Sequence, residues 1–486
     1  MVISLFVVPL SALLIFLKGV DVLYFFQIKE YRFDRVNSAL NEIGIFQQLY
    51  SVKINVPAKS PRNSIIMLCF SCLLLIAFLA SFDIPFVYGL FFYGIVIAPF
   101  FAFLLISFFV YITSLPVKLF RESIIMQAQK KVKKTHAQFV GITGSYGKTS
   151  VKEYLAAVLE ENYTVAKTPL NMNTDVGIAQ SINRNLADNT DLFIVEAGAY
   201  KRGEIRKATA YIPFSFAVLT GLGNQHLDLY KSREALIEEE SSLLFRVKKN
   251  GAVYINETVP NLQQLKRNLH THVVVFGISD RADARYKLLQ SDQQGTKIHI
   301  TYKELDLTCK IQLLGEHNAL NLLPAISLAY DLGMKAYEIK KKIEAIEPLP
   351  GKLSLHGGPR GAIVVHDAIN SNVEGFKAMI DVLSSFKHMT RKILATQGII
   401  ELGVEKCSSY EAILNKLANT GITMYTTDSL FKKLCNPKKI HVEHFTSPKT
   451  MMSVIKEHAD KQTVIGLEGK FSQSIISTVL LQPLHD

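Results

Sequence analysis

The sequence contains few cysteines, no internal repeat and no low-complexity tract. Only five of its 486 residues are cysteines. Cys309, Cys407 and Cys435 are scattered singly, which argues against a disulfide framework and favours a reducing compartment. Cys69 and Cys72 have the CxxC spacing of metal and redox sites. They lie in the apolar run IIMLCFSCLLLIAF, however, where thiols are ordinary small apolar side chains.

The composition indicates a membrane segment joined to a soluble part. The chain is 49% hydrophobic with a mean hydropathy of +0.19, which is more apolar than an average soluble protein. Charged residues make up 20%, too many for a protein that lies wholly in lipid. The formal net charge of +12 is compatible with binding nucleic acid, anionic lipid or a polyanionic substrate. The length is enough for two or three domains.

Three long apolar stretches lie near the beginning of the chain, at about residues 2–26, 64–82 and 84–115. Each is long enough to cross a hydrocarbon core as a helix. No charged segment precedes the first stretch and no small-residue cleavage site follows it, so we expect a retained span and not a signal peptide. We expect no internal pair of charges suited to a transport pathway in these spans, which argues against a transporter.

The distribution of Lys and Arg predicts the orientation of these spans. The loop between the first two stretches carries Lys29, Arg32, Arg35, Lys53, Lys59 and Arg62. The connection between the second and third contains only Asp83 near the boundary, so the first loop is predicted to be cytoplasmic, as is everything after Pro116. Residues 117–137 form a basic juxtamembrane linker. Its charge favours membrane lipids over nucleic acid as a partner, and a plain topology signal is the alternative.

From about residue 138, short β-branched or aromatic runs alternate with helical patterns, which is typical of a mostly parallel α/β sheet. The runs are QFVGIT, DLFIVEAGA, FSFAVLTGL, GAVYINE and HVVVFGI. After a break at residues 347–361, the runs AIVVHDA, KILATQG, GITMYTT, KIHVEHF and TVIGLEG repeat the alternation. We therefore predict a transmembrane region (1–116), a central α/β domain (138–348) and a C-terminal α/β domain (349–486).

The strongest chemical signal is FVGITGSYGKTSVKEYL, residues 139–155. A predicted strand enters a glycine-containing loop that opens a helix, and the loop N–H groups and the helix N-terminus favour phosphate oxygens. Lys148 would reach the terminal phosphates, and the Thr149 hydroxyl can ligate Mg²⁺. The predicted nucleoside triphosphate site comprises Gly144, Ser145, Tyr146, Gly147, Lys148, Thr149 and Ser150.

The form TGxxGKT resembles the ATP loop of the Mur ligases, the ATP-dependent amide ligases that build the peptide of bacterial cell-wall precursors. Further segments resemble that family in the same order over about residues 138–480. They are KTPLNMNTDVGIAQSI, DLFIVEAGAYKRGEI, AVLTGLGNQHLDLYKSREAL, LLGEHNALNLLPAISLAYDLG, and HDAINSNVEGFKAMIDVL followed by ATQGIIELG. The triplets GEI and ELG within these segments are most similar to those of the branch that adds D-alanyl-D-alanine to a UDP-muramoyl-tripeptide. The resemblance implies a P-loop central domain and a Rossmann-like C-terminal domain.

The same resemblance implies ATP and Mg²⁺ as cofactors, with Lys148 at the phosphates. Glu196, at the end of an apolar strand, and His226 would ligate Mg²⁺ together with Thr149. The alternatives are a solvated strand end for Glu196 and a structural histidine for His226.

A second group of residues would bind the nucleoside. His317, Asn318 and Asn321 open a predicted helix, where they would cap it, contact the adenine, or both. Asp367 and Lys352 resemble the ribose-binding carboxylate and a basic residue from the C-terminal domain. The family usually has Arg in the second position, and Lys keeps its charge but loses the bidentate geometry.

The reaction implied is phosphoryl transfer from ATP to a substrate carboxylate, followed by attack of an amine on the acyl phosphate. Two departures from the family bear on it. Glu240 stands where the family has a carbamylated lysine that serves the second Mg²⁺, so either the glutamate carboxylate substitutes for it or that metal is lost. The N-terminal spans replace the domain that grips the UDP-sugar, so either the spans take over that task or the acceptor is lipid-linked.

We therefore expect a ligase in the bacterial cytoplasmic membrane, with its catalytic domains in the cytoplasm. Its partners would be a UDP-linked or lipid-linked muramoyl peptide, an amino acid or dipeptide, and membrane lipids, but not nucleic acid. A polyglutamate-type synthase and a nucleotide-binding scaffold without catalysis are the competing hypotheses.

Overall fold

The structure is a computed structural model that describes most of the chain. The described residues are 2–50, 54–81, 94–169, 172–199, 201–223, 230, 232–292, 295–368, 371–399, 402, 405–435 and 440–481. They divide into two compact units, Met1–Ser123 and Ile124–Asp486.

The first unit is built from helices because its sequence consists mainly of long apolar runs. The helices are α1 (Val2–Ile28), α2 (Phe33–Ile43), α3 (Ile45–Leu49), α4 (Pro61–Ala80) and the first part of α5 (Gly94–Lys134). Ser60 caps α4 by accepting the Asn63 N–H, and proline occupies its first position.

Three of these helices are long and apolar enough to cross a membrane, over Val8–Ile28, Pro61–Ala80 and Pro99–Lys134. The first two contain most of the apolar stretches predicted at residues 2–26 and 64–82. Residues 84–93 of the third predicted stretch lie outside the described residues. The basic segment after Pro116 continues α5 as far as Lys134.

Helix α1 contains an internal charge pair that the sequence analysis did not identify. Lys18 and Asp21 lie three residues apart in α1, and their charged atoms are 2.7 Å apart. Both side chains are buried inside the first unit.

The second unit contains a nine-stranded sheet in the order β2-β3-β1-β4-β5-β6-β7-β8-β9. Its strands are β1 (Gln138–Thr143), β2 (Val165–Lys167), β3 (Leu192–Glu196), β4 (Phe214–Leu219), β5 (Val247–Asn256), β6 (His272–Gly277), β7 (Ala284–Asp292), β8 (Gly295–Tyr302) and β9 (Leu305–Ile311). Pairing is parallel from β2 to β7, whereas β7, β8 and β9 form an antiparallel meander.

Helices cover both faces of this sheet. They are α6 (Lys148–Leu159), α7 (Asp175–Asn185), α8 (Glu204–Ala208), α9 (Arg233–Ser241), α10 (Leu262–Asn268), α11 (Glu316–Asp331) and α12 (Ala336–Glu344). Successive residues of β1 point to opposite faces, so Val140 packs with Leu155 and Leu322, while Phe139 packs with Ile178. The central strand is therefore buried on both sides, as its continuous apolar run predicts.

A six-stranded sheet follows in the order β10-β11-β15-β12-β13-β14. Its strands are β10 (Ser354–Gly357), β11 (Ile363–Asp367), β12 (Arg391–Thr396), β13 (Ile422–Thr426), β14 (Val442–His444) and β15 (Thr463–Glu468). Its helices are α13 (Val373–Ser385), α14 (Lys406–Leu417), α15 (Ser429–Cys435), α16 (Pro448–His458) and α17 (Gln473–Ile476). All pairs except β10–β11 are parallel, so the carboxyl ends of the parallel strands meet at one edge.

The predicted fold class is confirmed. All ten runs predicted as strands form strands, and both sheets are mostly parallel. The strands β2, β7, β8, β9 and β10 were not predicted.

Candidate functional site

The phosphate-binding loop connects β1 to α6 through two glycines in the left-handed region. Gly144 has φ +128° and Gly147 has φ +84°. A Cβ on Gly144 would lie 2.2 Å from Thr220 Oγ1, and one on Gly147 would lie 2.6 Å from Asn321 Oδ1. Both positions therefore exclude any larger residue, and the bare backbone forms a tight turn at the helix N-terminus.

The carboxyl end of β4 holds this loop in place. The Ser145 N–H donates to the Gly221 carbonyl at 2.9 Å. The Thr220 hydroxyl is within 2.5 Å of the Tyr146 carbonyl oxygen and 3.1 Å of the Thr143 carbonyl oxygen. The Tyr146 ring lies directly on Gly221, where a Cβ would meet it at 2.0 Å. Strand β4 thus fixes the loop before any ligand is present.

Lys148, Thr149 and Ser150 form the first turn of α6. The Lys148 ammonium donates to the Gly144 carbonyl and approaches the Ser145 carbonyl at 3.4 Å. It therefore lies over the loop, where a phosphate would compete for it. The side chain is only half-buried, whereas Ser150 is buried under the turn.

Glu196, at the end of β3, lies beside this turn. Its Oε1 accepts from the Thr149 hydroxyl at 3.2 Å and from Asn173 Nδ2 at 3.5 Å. Its Oε2 is 3.0 Å from Lys152 Nζ but has no hydrogen bond of acceptable geometry. Oxygen donors are the ligands that Mg²⁺ prefers, so a hydroxyl beside a carboxylate fits that ion.

Lys152 was not predicted as part of the site. Its side chain is fully buried in α6, with the ammonium 3.0 Å from Glu196 and 3.5 Å from Glu153. A buried lysine needs such partners because removing an ammonium from water is costly. Its place in the sequence, four residues after Lys148, was the available signal, since residues four apart share a helix face.

Glu240, near the end of α9, contacts the beginning of the loop. Its Oε2 accepts from the Thr143 hydroxyl at 2.5 Å and from the Gly144 N–H at 2.8 Å. The side chain is buried. This carboxylate therefore orients the loop backbone, and one of its two oxygens is occupied by protein donors.

His226 lies outside the described residues, so its predicted role as a ligand stays a prediction. Within the part of the chain that the structure describes, no group of three or more His, Cys, Asp or Glu side chains is arranged to hold a metal ion. The structure thus brings Thr149 and Glu196 together and places Glu240 on the other side of the loop, at Thr143 and Gly144.

The predicted nucleoside residues open α11, as expected. Asn321 lies against Gly147, and Asn318 accepts from the Tyr154 hydroxyl at 2.8 Å while donating to the Leu314 carbonyl at 2.7 Å. Asn318 therefore ties α11 to α6. Burial, together with nearby Lys352, lowers the pKa of His317 to about 4, and its Nδ1 has no hydrogen-bond partner. His317 is thus neutral near pH 7, with one ring nitrogen available to a ligand.

Lys352 acts electrostatically on both His317 and Asp367. Asp367 and Lys352 therefore lie near the residues that open α11. Burial raises the pKa of Asp367 to about 6, and Lys352 opposes that rise. Next to it in register, at the end of β15, lies the fully buried Glu468. Burial and the charge of Asp367 raise the pKa of Glu468 as well.

Glu468 was missed, although it shows the same signal as Asp367, an acidic residue that ends an apolar strand. Its Oε1 accepts from Ser371 at 3.2 Å, whereas Oε2 has no partner. Asp367 Oδ1 is also buried without a partner. Two neighbouring carboxyl groups with unused oxygens are suited to accepting hydrogen bonds from hydroxyl or amino groups.

A cleft of about 340 Å³ separates the loop from the C-terminal domain. Tyr146, Gly223 and Arg233 line it on one side, and Glu374 and Lys377 line it on the other. Basic and acidic groups therefore face the same space, which suits a substrate that carries both signs of charge.

Comparison with known proteins agrees with this architecture. Residues 142–329 match the family described as Mur ligase middle domain. The chain is 26% identical over 361 residues to the UDP-N-acetylmuramoyl-tripeptide–D-alanyl-D-alanine ligase of Bacillus subtilis strain 168, covering 71% of this chain and 76% of that protein.

Two solved structures share the fold. The MurF ligase of Thermotoga maritima, in complex with ADP, superposes with a TM-score of 0.65 at 22% identity and covers 74% of this chain and 82% of that one. MurF from Acinetobacter baumannii gives a TM-score of 0.65 at 18% identity and covers 74% and 79%. At these identities the likeness shows the fold.

Proposed function

We propose that the chain is an ATP-dependent amide ligase of cell-wall precursor synthesis, since residues 142–329 match the Mur ligase middle domain. It joins an amino acid or dipeptide, such as D-alanyl-D-alanine, to a muramoyl peptide. The observation that carries the proposal is the loop itself, in which Lys148 lies over a two-glycine turn and Thr149 contacts Glu196. The name of the Bacillus subtilis relative supports the choice of dipeptide.

The loop performs the first half of the reaction. A carboxylate oxygen of the acceptor attacks the γ-phosphorus of ATP, and the bond from that phosphorus to the ADP oxygen breaks. Lys148 and the loop N–H groups stabilise the charge on the transferring phosphoryl group. Mg²⁺ held by Thr149 and Glu196 would offset phosphate charge.

The second half forms the amide. The amine nitrogen attacks the acyl carbon, phosphate leaves, and the nitrogen loses a proton. Arg233 in the cleft is suited to a carboxylate of the substrates, while Lys377 and Glu374 on the other side pair with one another at 2.9 Å. No side-chain nucleophile takes part, so binding and orientation are the main contributions of the protein.

We also propose that the chain lies in the bacterial cytoplasmic membrane, with the second unit in the cytoplasm. Three helices of sufficient length and hydropathy support this placement. The basic residues before Pro61 and after Pro116 support the orientation, and they would contact anionic lipid headgroups. The acceptor is then UDP-linked or carried on a membrane lipid.

The test is phosphate release from ATP by the full-length protein purified in detergent. It receives UDP-muramoyl-tripeptide or the lipid-linked counterpart, together with D-alanyl-D-alanine, and Lys148→Ala is the blank. We expect release that needs both substrates and is lost in the blank. Glutamate in place of the dipeptide tests the polyglutamate-type alternative, which requires chains of added glutamate.

A nucleotide-binding scaffold without catalysis is the second candidate. It is favoured by Glu240, whose Oε2 accepts hydrogen bonds from the Thr143 hydroxyl and the Gly144 N–H. ATP binding without release for every acceptor and amine would support the scaffold and reject the ligase.

A further inference from the structure

Residues 44–50 and 54–58, here called the return segment, follow α2 and lead back to α4 in the first unit. The positive-inside rule places this part of the chain in the cytoplasm. Its contacts with two helices, α1 and α5, however, place its first half far from the polar end of those helices.

Helix α1 gives the first measure of depth. Ala58 exchanges two hydrogen bonds with the Gln27 side chain, at 2.7 and 3.2 Å. Asn55 donates to Asp21 Oδ1, from its backbone and its side chain, at 3.1 Å. The Gln48 carbonyl accepts from Lys18 at 3.1 Å. The contacts of the return segment with α1 thus run from Gln27 to Lys18, a distance of about 13 Å along that helix at about 1.5 Å per residue.

Helix α5 gives an independent measure. Arg62, at the beginning of α4, donates to the Val110 carbonyl at 3.0 Å and to Thr113 at 3.2 Å. The rings of Phe46 and Tyr50 instead contact Phe100, with centroids 6.1 and 6.3 Å apart. Phe100 precedes Val110 by ten residues, which is about 15 Å along the helix.

Helix α4 agrees with both. Gly19 packs against Phe70 so closely that a Cβ would meet the ring at 2.3 Å. Lys18 is therefore level with Phe70, about 12 Å beyond Arg62 along α4. The hydrocarbon core of a bilayer is about 30 Å thick, so a segment 12–15 Å below its edge is near the middle.

The polar pair in α1 meets the requirement that such a depth imposes. Backbone groups at membrane depth need protein partners, since no water is available. Lys18 takes a carbonyl from the short helix α3, and Asp21 takes the Asn55 N–H. The two side chains also neutralise one another. The pair thus has a use that a plain anchor helix would not need.

The outer surface of the return segment is mainly apolar, with Gln47 as an exposed polar side chain. Phe46 is 70% exposed and Val56 73% exposed, and Ile45, Tyr50 and Ile54 are also exposed. Exposed apolar groups of this size are unfavourable in water but are the normal surface of a protein in lipid. Helix α2 exposes Asn37 and Asn41 together with Phe33, so its exposed surface is more polar than that of the residues after Gly44.

We propose that the return segment is a re-entrant membrane segment that dips to about the middle of the bilayer beside α1 and contacts lipid acyl chains. This inference rests on the membrane placement proposed above. It moves residues 44–50 and 54–58 of the predicted cytoplasmic loop into the membrane.

The chain contains no tryptophan, so a single introduced tryptophan reports on its own surroundings. Phe46→Trp and, as a second position, Val56→Trp test the return segment in the full-length protein. Leu75→Trp, at an exposed position of α4, is the reference for a side chain in lipid. Phe245→Trp, on the exposed surface of the second unit, is the reference for a side chain in water. Each variant is placed in phosphatidylcholine vesicles with brominated acyl chains, and separately exposed to aqueous iodide.

We expect brominated lipid to quench Phe46→Trp and Val56→Trp at least half as strongly as Leu75→Trp, and iodide to quench only Phe245→Trp. If lipid quenches Leu75→Trp but both return-segment reporters respond to iodide, the re-entrant segment is rejected and the membrane placement stands. If Leu75→Trp also responds only to iodide, the membrane placement itself is rejected and the inference with it.

Discussion

Glu240 is the residue at which the site departs most clearly from the expected pattern. Its carboxylate accepts from the Gly144 N–H and the Thr143 hydroxyl, so we expect Glu240→Ala to destabilise the protein by about 1–3 kcal/mol through two unpaired buried donors. Because Gly144 belongs to the loop, ATP binding should weaken as well. Thermal unfolding and nucleotide titration measure the two effects.

The neighbouring Glu239 provides the control. It is equally buried, but it accepts the Gly203 and Ile205 N–H groups at the beginning of α8, at 2.6 and 2.7 Å. Glu239→Ala should therefore lose stability and keep its ATP affinity. Equal ATP affinities for the two variants would show that Glu240 is only structural.

Lys152 carries a second prediction at this scale. Lys152→Met leaves the Glu196 carboxylate buried without its cation, and breaking a buried pair costs about 3–5 kcal/mol. Excess Mg²⁺ should restore part of the lost melting temperature in this variant, because it supplies positive charge at Glu196. Lys341→Met removes an exposed pair with Glu161 and should leave the melting temperature unchanged. A melting temperature unchanged in Lys152→Met would contradict the prediction.

Asp367 predicts a dependence of stability on pH. Its pKa is about 6 in the folded protein and 3.8 ordinarily, so the folded state holds the proton more tightly. Between these values the folded state binds more protons at Asp367 than the unfolded state, so the contribution of Asp367 to stability falls as pH rises from about 4 to about 6. His317, with its lowered pKa, contributes the opposite slope. Asp367→Asn should therefore shift the slope of melting temperature against pH in the rising direction over this range. An unchanged slope in that variant would assign the effect to another group.

At the scale of elements, sequence patterns predicted the buried parallel strands because those strands are continuous apolar runs. Strand β7 was not predicted, because only Ala284 and Tyr286 are buried and most of its residues are exposed. Strand β10 is a short edge strand whose buried residues include Ser354 and His356. Their place in the sheets depends on pairing between strands, which no local pattern reports.

The candidate site likewise contains residues that the sequence predicted and residues that it did not. The glycines, Lys148 and Thr149 were predictable because the loop is a contiguous segment whose chemistry is local. Glu468 and Lys152 were not identified, since their relevance comes from neighbours that are distant in sequence, Asp367 on another strand and Glu196 at the end of β3. The direction of the Glu240 side chain likewise depends on how α9 packs against the loop.

At the scale of the whole second unit, the cleft between the loop and the C-terminal domain is the feature that separates substrate binding from ATP binding. It is lined by residues from both domains, with Arg233 on the loop side and Lys377 on the other. A substrate that carries a carboxylate would bind to Arg233, because Lys377 is already paired with Glu374, whereas ATP would bind to the loop. Substitutions in the cleft should therefore affect the acceptor or the dipeptide and leave the nucleotide unaffected.

Arg233→Ala tests this separation. Losing a charge-assisted hydrogen bond costs about 1.5–3 kcal/mol, which corresponds to a rise of about 10-fold to 100-fold in the KM of one carboxylate substrate. The KM for ATP should stay within about twofold, because Arg233 lines the cleft and not the loop turn. Arg202→Ala, which removes an exposed arginine paired with Glu238, should change neither value. A rise in the KM for ATP alone would mean that Arg233 serves the nucleotide, and the cleft would then lose its assignment as the acceptor and dipeptide site.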